Sequence, residues 1–281
     1  MSLATSDERA GAGGVVNPSW PWWSGVLALA LGLVAAVIGE LIIYIPAIAA
    51  GANAQHPSAG IELASTVVQD GCFVGAAVWC AWRLGGAATS WGFGLRPTNV
   101  RRAVLLVIAL LVAFFAFNAA WGALLNLGSD KQLLNQLGVK RAASLKAGAA
   151  ILVCVIAPMC EETLFRGYMF TALRNWRGLW PAVLITGVIF GLVHGASSPA
   201  GDLLPLALLG AGLCLLYWRT GSLYPGIAAH SINNSIAFGV GVGWSWQIPL
   251  LTGGSLAAIA AAALMLRRAG VIAPGERLAP A

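Results

Sequence analysis

Residues 151–170 read ILVCVIAPMCEETLFRGYMF, an apolar run that carries two adjacent glutamates, Glu161 and Glu162, and one arginine, Arg166. An ionisable group near the centre of a membrane helix costs about 2.5–3.5 kcal/mol on insertion scales, so such groups are rare unless they pair or line a wet cavity. The run therefore reads as a membrane-buried helix with a polar site built into it. Residues four apart share a helix face, whereas adjacent residues point about 100° apart. Glu162 and Arg166 can thus neutralise each other, and Glu161 is directed elsewhere, free for chemistry. Pro158 cannot donate to the Cys154 carbonyl, so a kink or widened turn is expected just before the glutamates.

Composition extends this reading to the whole chain. Of 281 residues, 59% are hydrophobic and 9% charged, and the mean hydropathy is +0.81. Water-soluble domains carry about 25% charged residues, so the fold class is all-α, a polytopic transmembrane bundle of about eight helices. The apolar runs lack the alternation of a transmembrane barrel. Bounded by Gly, Pro and charge clusters, the expected spans are 24–50, 62–82, 103–126, 146–173, 179–199, 203–219, 221–241 and 246–266. They form one domain, 23–268, with the chemistry-bearing motifs in 146–241, between a polar, disordered N-terminal tail (1–22) and a C-terminal tail (269–281). The apolar run after the N-terminal tail is too long for a signal peptide.

The net charge of +6 does not imply nucleic acid, because the basic residues sit at helix ends. Arg83, Arg96, Arg101, Arg102, Arg174, Arg177, Arg267 and Arg268 fall on one side if both termini are cytoplasmic, whereas Lys131, Lys140, Arg141 and Lys146 fall on the other. The 127–145 stretch is read as an interfacial segment. Trp91 to Pro97 reads as a headgroup-level anchor. Five cysteines, all in apolar segments, read as packing residues.

Two further spans carry polar groups. On the fifth, Phe190 and His194 are four apart; on the seventh, His230 and Asn234 are. At about 1.5 Å per residue, Glu161, His194 and His230 lie at depths of roughly 13 to 22 Å, where they can meet. A carboxylate and an imidazole together can take a proton from water, and donors from His230 and Asn234 can stabilise an oxyanion. These parts suit peptide hydrolysis. Taken singly, each has a structural alternative: the Glu-Arg pair as a clamp, a histidine as a satisfied core group, His-Asn as helix-helix glue. Glu40 and Asp70, two further intramembrane acids, read as a structural pair across the first two helices or as groups that hydrate a cavity.

At these positions the chain resembles the CAAX protease and bacteriocin-processing (CPBP) family, which includes the Ras-converting CAAX endopeptidases. The resemblance rests on Glu161-Glu162-Thr-Leu-Phe-Arg166 (EExxxR), Phe190-Gly-Leu-Val-His194 (FxxxH) and His230-Ser-Ile-Asn-Asn234 (HxxxN). It implies that Glu161 and His194 activate water, that His230 and Asn234 form an oxyanion hole, and that Glu162 and Arg166 support the site, with Phe190 part of its motif. No metal is expected to be obligatory, although Glu161, His194 and His230 could supply three zinc ligands without any HExxH element. The expected partners are membrane lipids and a membrane-associated or lipidated peptide, in the cytoplasmic membrane of a bacterium. The competing readings are a non-catalytic immunity protein and a proton-coupled transporter; the absence of an internal repeat weighs against the latter.

Overall fold

The computed structural model describes residues 18–53, 57–85, 88–126, 132–140 and 142–272. His56, Lys131 and Arg141 lie outside these residues, as do residues 1–17 and 273–281 of the two tails. All regular structure among the described residues is helical. The helices are α1 (Ser24–Ala49), α2 (Ala59–Gly85), α3 (Val100–Leu125), a short α4 (Gln132–Gln136), the long rod α5 (Ala143–Arg177), α6 (Leu179–Val193), α7 (Leu203–Thr220), α8 (Leu223–Gly241) and α9 (Gln247–Arg268). Seven of them, α1, α2, α3, α5, α6, α7 and α9, are long and apolar enough to cross a membrane. The side chains they turn outward, such as Val34, Ile42, Leu105, Val112, Leu184 and Leu250, are large and apolar. That is the expected inversion for a helix bundle solvated by lipid, and it makes the chain an integral membrane protein.

The eighth crossing is α8, which is too polar to be counted among the seven because it carries His230, Ser231, Asn233, Asn234 and Ser235. Contacts at its two ends establish that it traverses the bundle. At its start, Arg96 donates through Nε to the Gly221 carbonyl, Ser222 Oγ donates to the Arg96 carbonyl at 2.6 Å, and Leu223 N bonds the Gly94 carbonyl at 2.8 Å. After its end, the Lys146 ammonium lies 5.8 Å from the Trp244 ring, beside the start of α5. One end of the bundle gathers the α2–α3, α5–α6 and α7–α8 connections, and the other gathers the opposite set.

The first of these ends is more ordered than the sequence suggests. Trp20, assigned to the tail by its polar surroundings, is 3% exposed and packs on Phe93 and Tyr168 with ring centroids 5.2 and 4.6 Å away. The Pro18 carbonyl accepts from Asn175 Nδ2 at 2.7 Å. Packing against the bundle thus begins at Pro18 and Trp20, ahead of α1. The 91–97 stretch is likewise a wedge as well as an anchor: Phe93 is buried, and Gly94 takes a φ of +86° where a side chain would strike Tyr217. At the other end, Leu134, Leu137 and Val139 are buried in a cluster with Phe238, so the stretch before α5 is packed against the bundle.

Candidate active site

The rod α5 holds the glutamates, and its backbone is not a uniform α-helix. Two π-helical segments, Leu152–Ile156 and Thr163–Phe170, flank the α-helical turn Ala157–Glu162. The cause of the first lies in the sequence. Pro158 has no N–H for the Cys154 carbonyl, and the Ala157 N–H bonds Leu152 rather than Val153. Two carbonyls are thereby released inside an apolar bundle, where each must find a donor. Helix α8 supplies both: Ser231 Oγ donates to the Cys154 carbonyl at 2.6 Å and Asn234 Nδ2 to the Val153 carbonyl at 2.9 Å. The kink expected at Pro158 is therefore a π-bulge whose exposed oxygens fix the register of α8 against α5.

That register places His230. Its Nδ1 lies 3.0 Å from Glu162 Oε1, which also accepts from Arg166 Nη1 at 2.7 Å. Glu162 and Arg166 are both fully buried, and the guanidinium is held on three sides. Besides Glu162 it bonds the Gly210 carbonyl at 2.9 Å, and it stacks 4.4 Å from the centre of the Phe190 ring. Two glycines make room for this cluster. A side chain at Gly210 would lie 2.9 Å from Phe190, and one at Gly226 would lie 2.9 Å from Glu162 Oε2. Phe190, fully buried, also touches both imidazoles, with centroids 4.7 Å from His194 and 5.7 Å from His230.

His194 lies one residue beyond the end of α6, in a 3₁₀ turn (His194–Ala196) rather than inside a longer helix. Its Nδ1 is 2.7 Å from the Phe190 carbonyl. A carbonyl only accepts, so Nδ1 carries the proton and Nε2 of the neutral ring presents a lone pair. His230 likewise carries a proton on Nδ1, which faces the Glu162 carboxylate. Both Nε2 atoms turn toward Glu161 Oε2, at 3.8 Å from His194 and 4.0 Å from His230. Glu161 Oε2 is buried and has no hydrogen-bond partner. The arrangement is thus two imidazole nitrogens and an unpartnered carboxylate oxygen around one point.

Among the described residues, no group of three His, Cys, Asp or Glu side chains is placed to hold a metal ion. The separations say why. Ligands of tetrahedral zinc at 2.0–2.1 Å lie about 3.3–3.4 Å apart, closer than the 3.8 and 4.0 Å found here. A water molecule with hydrogen bonds of about 2.8 Å bridges such gaps at an angle of about 90°.

Six of the seven side chains singled out by the motifs converge. Glu161, Glu162, Arg166, Phe190, His194 and His230 form one contiguous cluster, and Asn234 sits one turn along α8, bound to Val153 and accepting from Asn233 Nδ2 at 3.1 Å. Sequence reasoning missed Ser231, Gly210 and Gly226. Ser231 alone left a trace, as a polar residue inside a spanning motif opposite a proline. Asp70, on α2, is buried, and its Oδ2 has no hydrogen-bond partner.

Comparison with known proteins finds likeness over the part of this helical membrane protein that carries the centre. Residues 143–236 match the family model described as type II CAAX prenyl endopeptidase Rce1-like. Among curated proteins, "Putative membrane peptidase YdiL" of Bacillus subtilis (strain 168) is 34% identical over 85 residues, covering 30% of this chain and 34% of the relative. The chain therefore matches about a third of that relative's length. No solved structure matches the chain. The likeness to these membrane peptidases lies in the motif-bearing core of the chain.

Proposed function

We propose that the chain is an intramembrane endopeptidase that hydrolyses a peptide bond of a membrane-associated substrate through a water activated by Glu161 and His194. The observation that carries this reading is Glu161 Oε2, buried and unpartnered between two imidazole Nε2 atoms. A water there donates one hydrogen to Glu161 and the other to His194, and turns a lone pair toward the substrate carbonyl. As its oxygen attacks, its proton passes to the Glu161–His194 pair, which returns it to the leaving amine. The Nδ1 proton of His230 is committed to Glu162, so this ring can steady the oxyanion only as an imidazolium, with Nε2 as donor. Asn234 has one N–H left after Val153 and would supply the second donor.

Arg166 and Glu162 fix His230 and are not themselves in reach of substrate. The lipid-facing exterior supports a substrate that reaches the site from the bilayer, and a prenylated or otherwise lipidated C-terminal peptide is the class that the family description favours. The test is cleavage in liposomes of matched farnesylated and unmodified membrane peptides, with and without a chelator. Glu161→Gln and His194→Ala are expected to lower turnover by about 10²–10⁴-fold, the range of general-base loss, and the chelator to leave wild type unchanged. Cleavage by purified Glu161→Gln at the wild-type rate would overturn the reading.

A further inference from the structure

Three buried oxygens mark a path from α2 into the site: Ser65 Oγ, which Tyr44 approaches from α1, and Asp70 Oδ2 and Glu161 Oε2, which have no hydrogen-bond partner. Ser65 is 3% exposed and Asp70 2%. Leaving a buried polar group unsatisfied costs about 1–3 kcal/mol, and waters that touch two or more such groups are the usual remedy. The placement of the three is not random. Glu62, Thr66 and Asp70 lie four apart on one face of α2, with Ser65 beside them, and Tyr44 of α1 lies against Glu62 and Ser65 at the head of the stripe. Glu62, in the first turn, is partly exposed. Eight residues on, about 12 Å along the axis, the stripe reaches Asp70 and ends. The same face continues as Phe73, Ala77, Cys80 and Ala81, all buried and apolar. The polar half of α2 thus runs from the Ala59 end of the helix to the level of Glu161, and Phe73 closes it there.

We propose that Asp70 is a positioning residue for the hydrolytic water: with Ser65 it holds a short file of waters along α2 that leads from the Ala59 end of the helix to Glu161. The inference rests on the water-activation reading above. It gives the water a route along α2 that is separate from lipid. Asp70 touches neither substrate nor the scissile bond; it acts through the water that Glu161 uses.

Two measurements test it. The first does not depend on catalysis. In liposomes, Ser65→Cys is expected to react with a small charged methanethiosulfonate several-fold faster than the wild-type background of five cysteines, whereas Val67→Cys, on the outward face, is not. Equal reactivity of the two would mean a dry stripe and overturn the proposal. The second compares Asp70→Leu with Asp70→Asn, whose amide still binds water. Asp70→Leu is expected to lower kcat roughly tenfold or more with KM little changed, and Asp70→Asn to keep most of the turnover. A wild-type kcat in Asp70→Leu would also overturn it. If Asp70→Leu does not fold, Asp70→Asn and the labelling decide. If wild type cleaves none of the peptides, the failure belongs to the hydrolase reading, and labelling alone decides whether the water file exists.

Discussion

At the scale of single residues, the two neighbouring glutamates have opposite duties, and the difference is measurable. Glu162 is fully buried between Arg166 and His230, and removing one member of such a cluster leaves an uncompensated charge at a cost of about 3–5 kcal/mol. Arg166→Ala is therefore expected to lower the thermal unfolding midpoint in detergent sharply, and Glu161→Gln to leave it near wild type while abolishing turnover. Arg166→Lys should rescue little, because an ammonium cannot serve Glu162, the Gly210 carbonyl and the Phe190 ring together. Gly226→Ala offers a finer probe. Its new Cβ would stand 2.9 Å from Glu162 Oε2 and push the carboxylate off His230, and a shift of about an ångström can cost up to about 10²-fold in rate. Most of these residues were legible in the sequence because a membrane span has so little reason to contain Glu, Arg or His. Asp70 was equally visible, but nothing in the spacing says that its Oδ2 is left without a hydrogen-bond partner.

At the scale of the helix, the informative feature is the coupling of a proline on α5 to a serine on α8. Pro158 frees the Cys154 carbonyl, and Ser231 satisfies it. Sequence could announce the missing N–H, but not which neighbour would answer it, since that depends on how α5 and α8 meet. The pairing predicts a non-additive pair of mutants. Ser231→Ala leaves a buried carbonyl unpaired and is expected to destabilise by about 1–3 kcal/mol. In a Pro158→Ala background the restored N–H can reach the same carbonyl, so the added effect of Ser231→Ala should shrink, a coupling that a double-mutant cycle on unfolding in detergent would measure. Additive effects would mean that the π-bulge persists without the proline. Asn234 is expected to behave differently, because the Val153 carbonyl it holds is freed by the π register itself and not by a missing donor.

At the scale of the molecule, the number of crossings decides what the site is exposed to, and α8 is the helix on which that number turns. Its low apolarity follows from its position. Eleven of its residues, from Leu223 to Gly239, are buried by protein, so it is solvated by α5, α7 and α9 and need not satisfy lipid. At 19 residues it is about 28 Å long, close to the roughly 30 Å hydrocarbon core. The contacts of Arg96 with Gly221 and of Lys146 with Trp244 tie its two ends to opposite ends of the bundle. Hydrophobic patterning found the seven apolar helices and α8 because it was read together with the turns between them, whereas the buried lock of Trp20, Phe93 and Tyr168 was hidden by the polar residues around it. With α8 counted, the crossings are even, and topology reporters fused ahead of Ser24 and after Arg268 must report the same side. The arginine-rich connections predict that this side is cytoplasmic. Reporters on opposite sides would make α8 a re-entrant hairpin, and would move His230 and Glu162 from the interior of a spanning bundle to the wall of a water-filled vestibule.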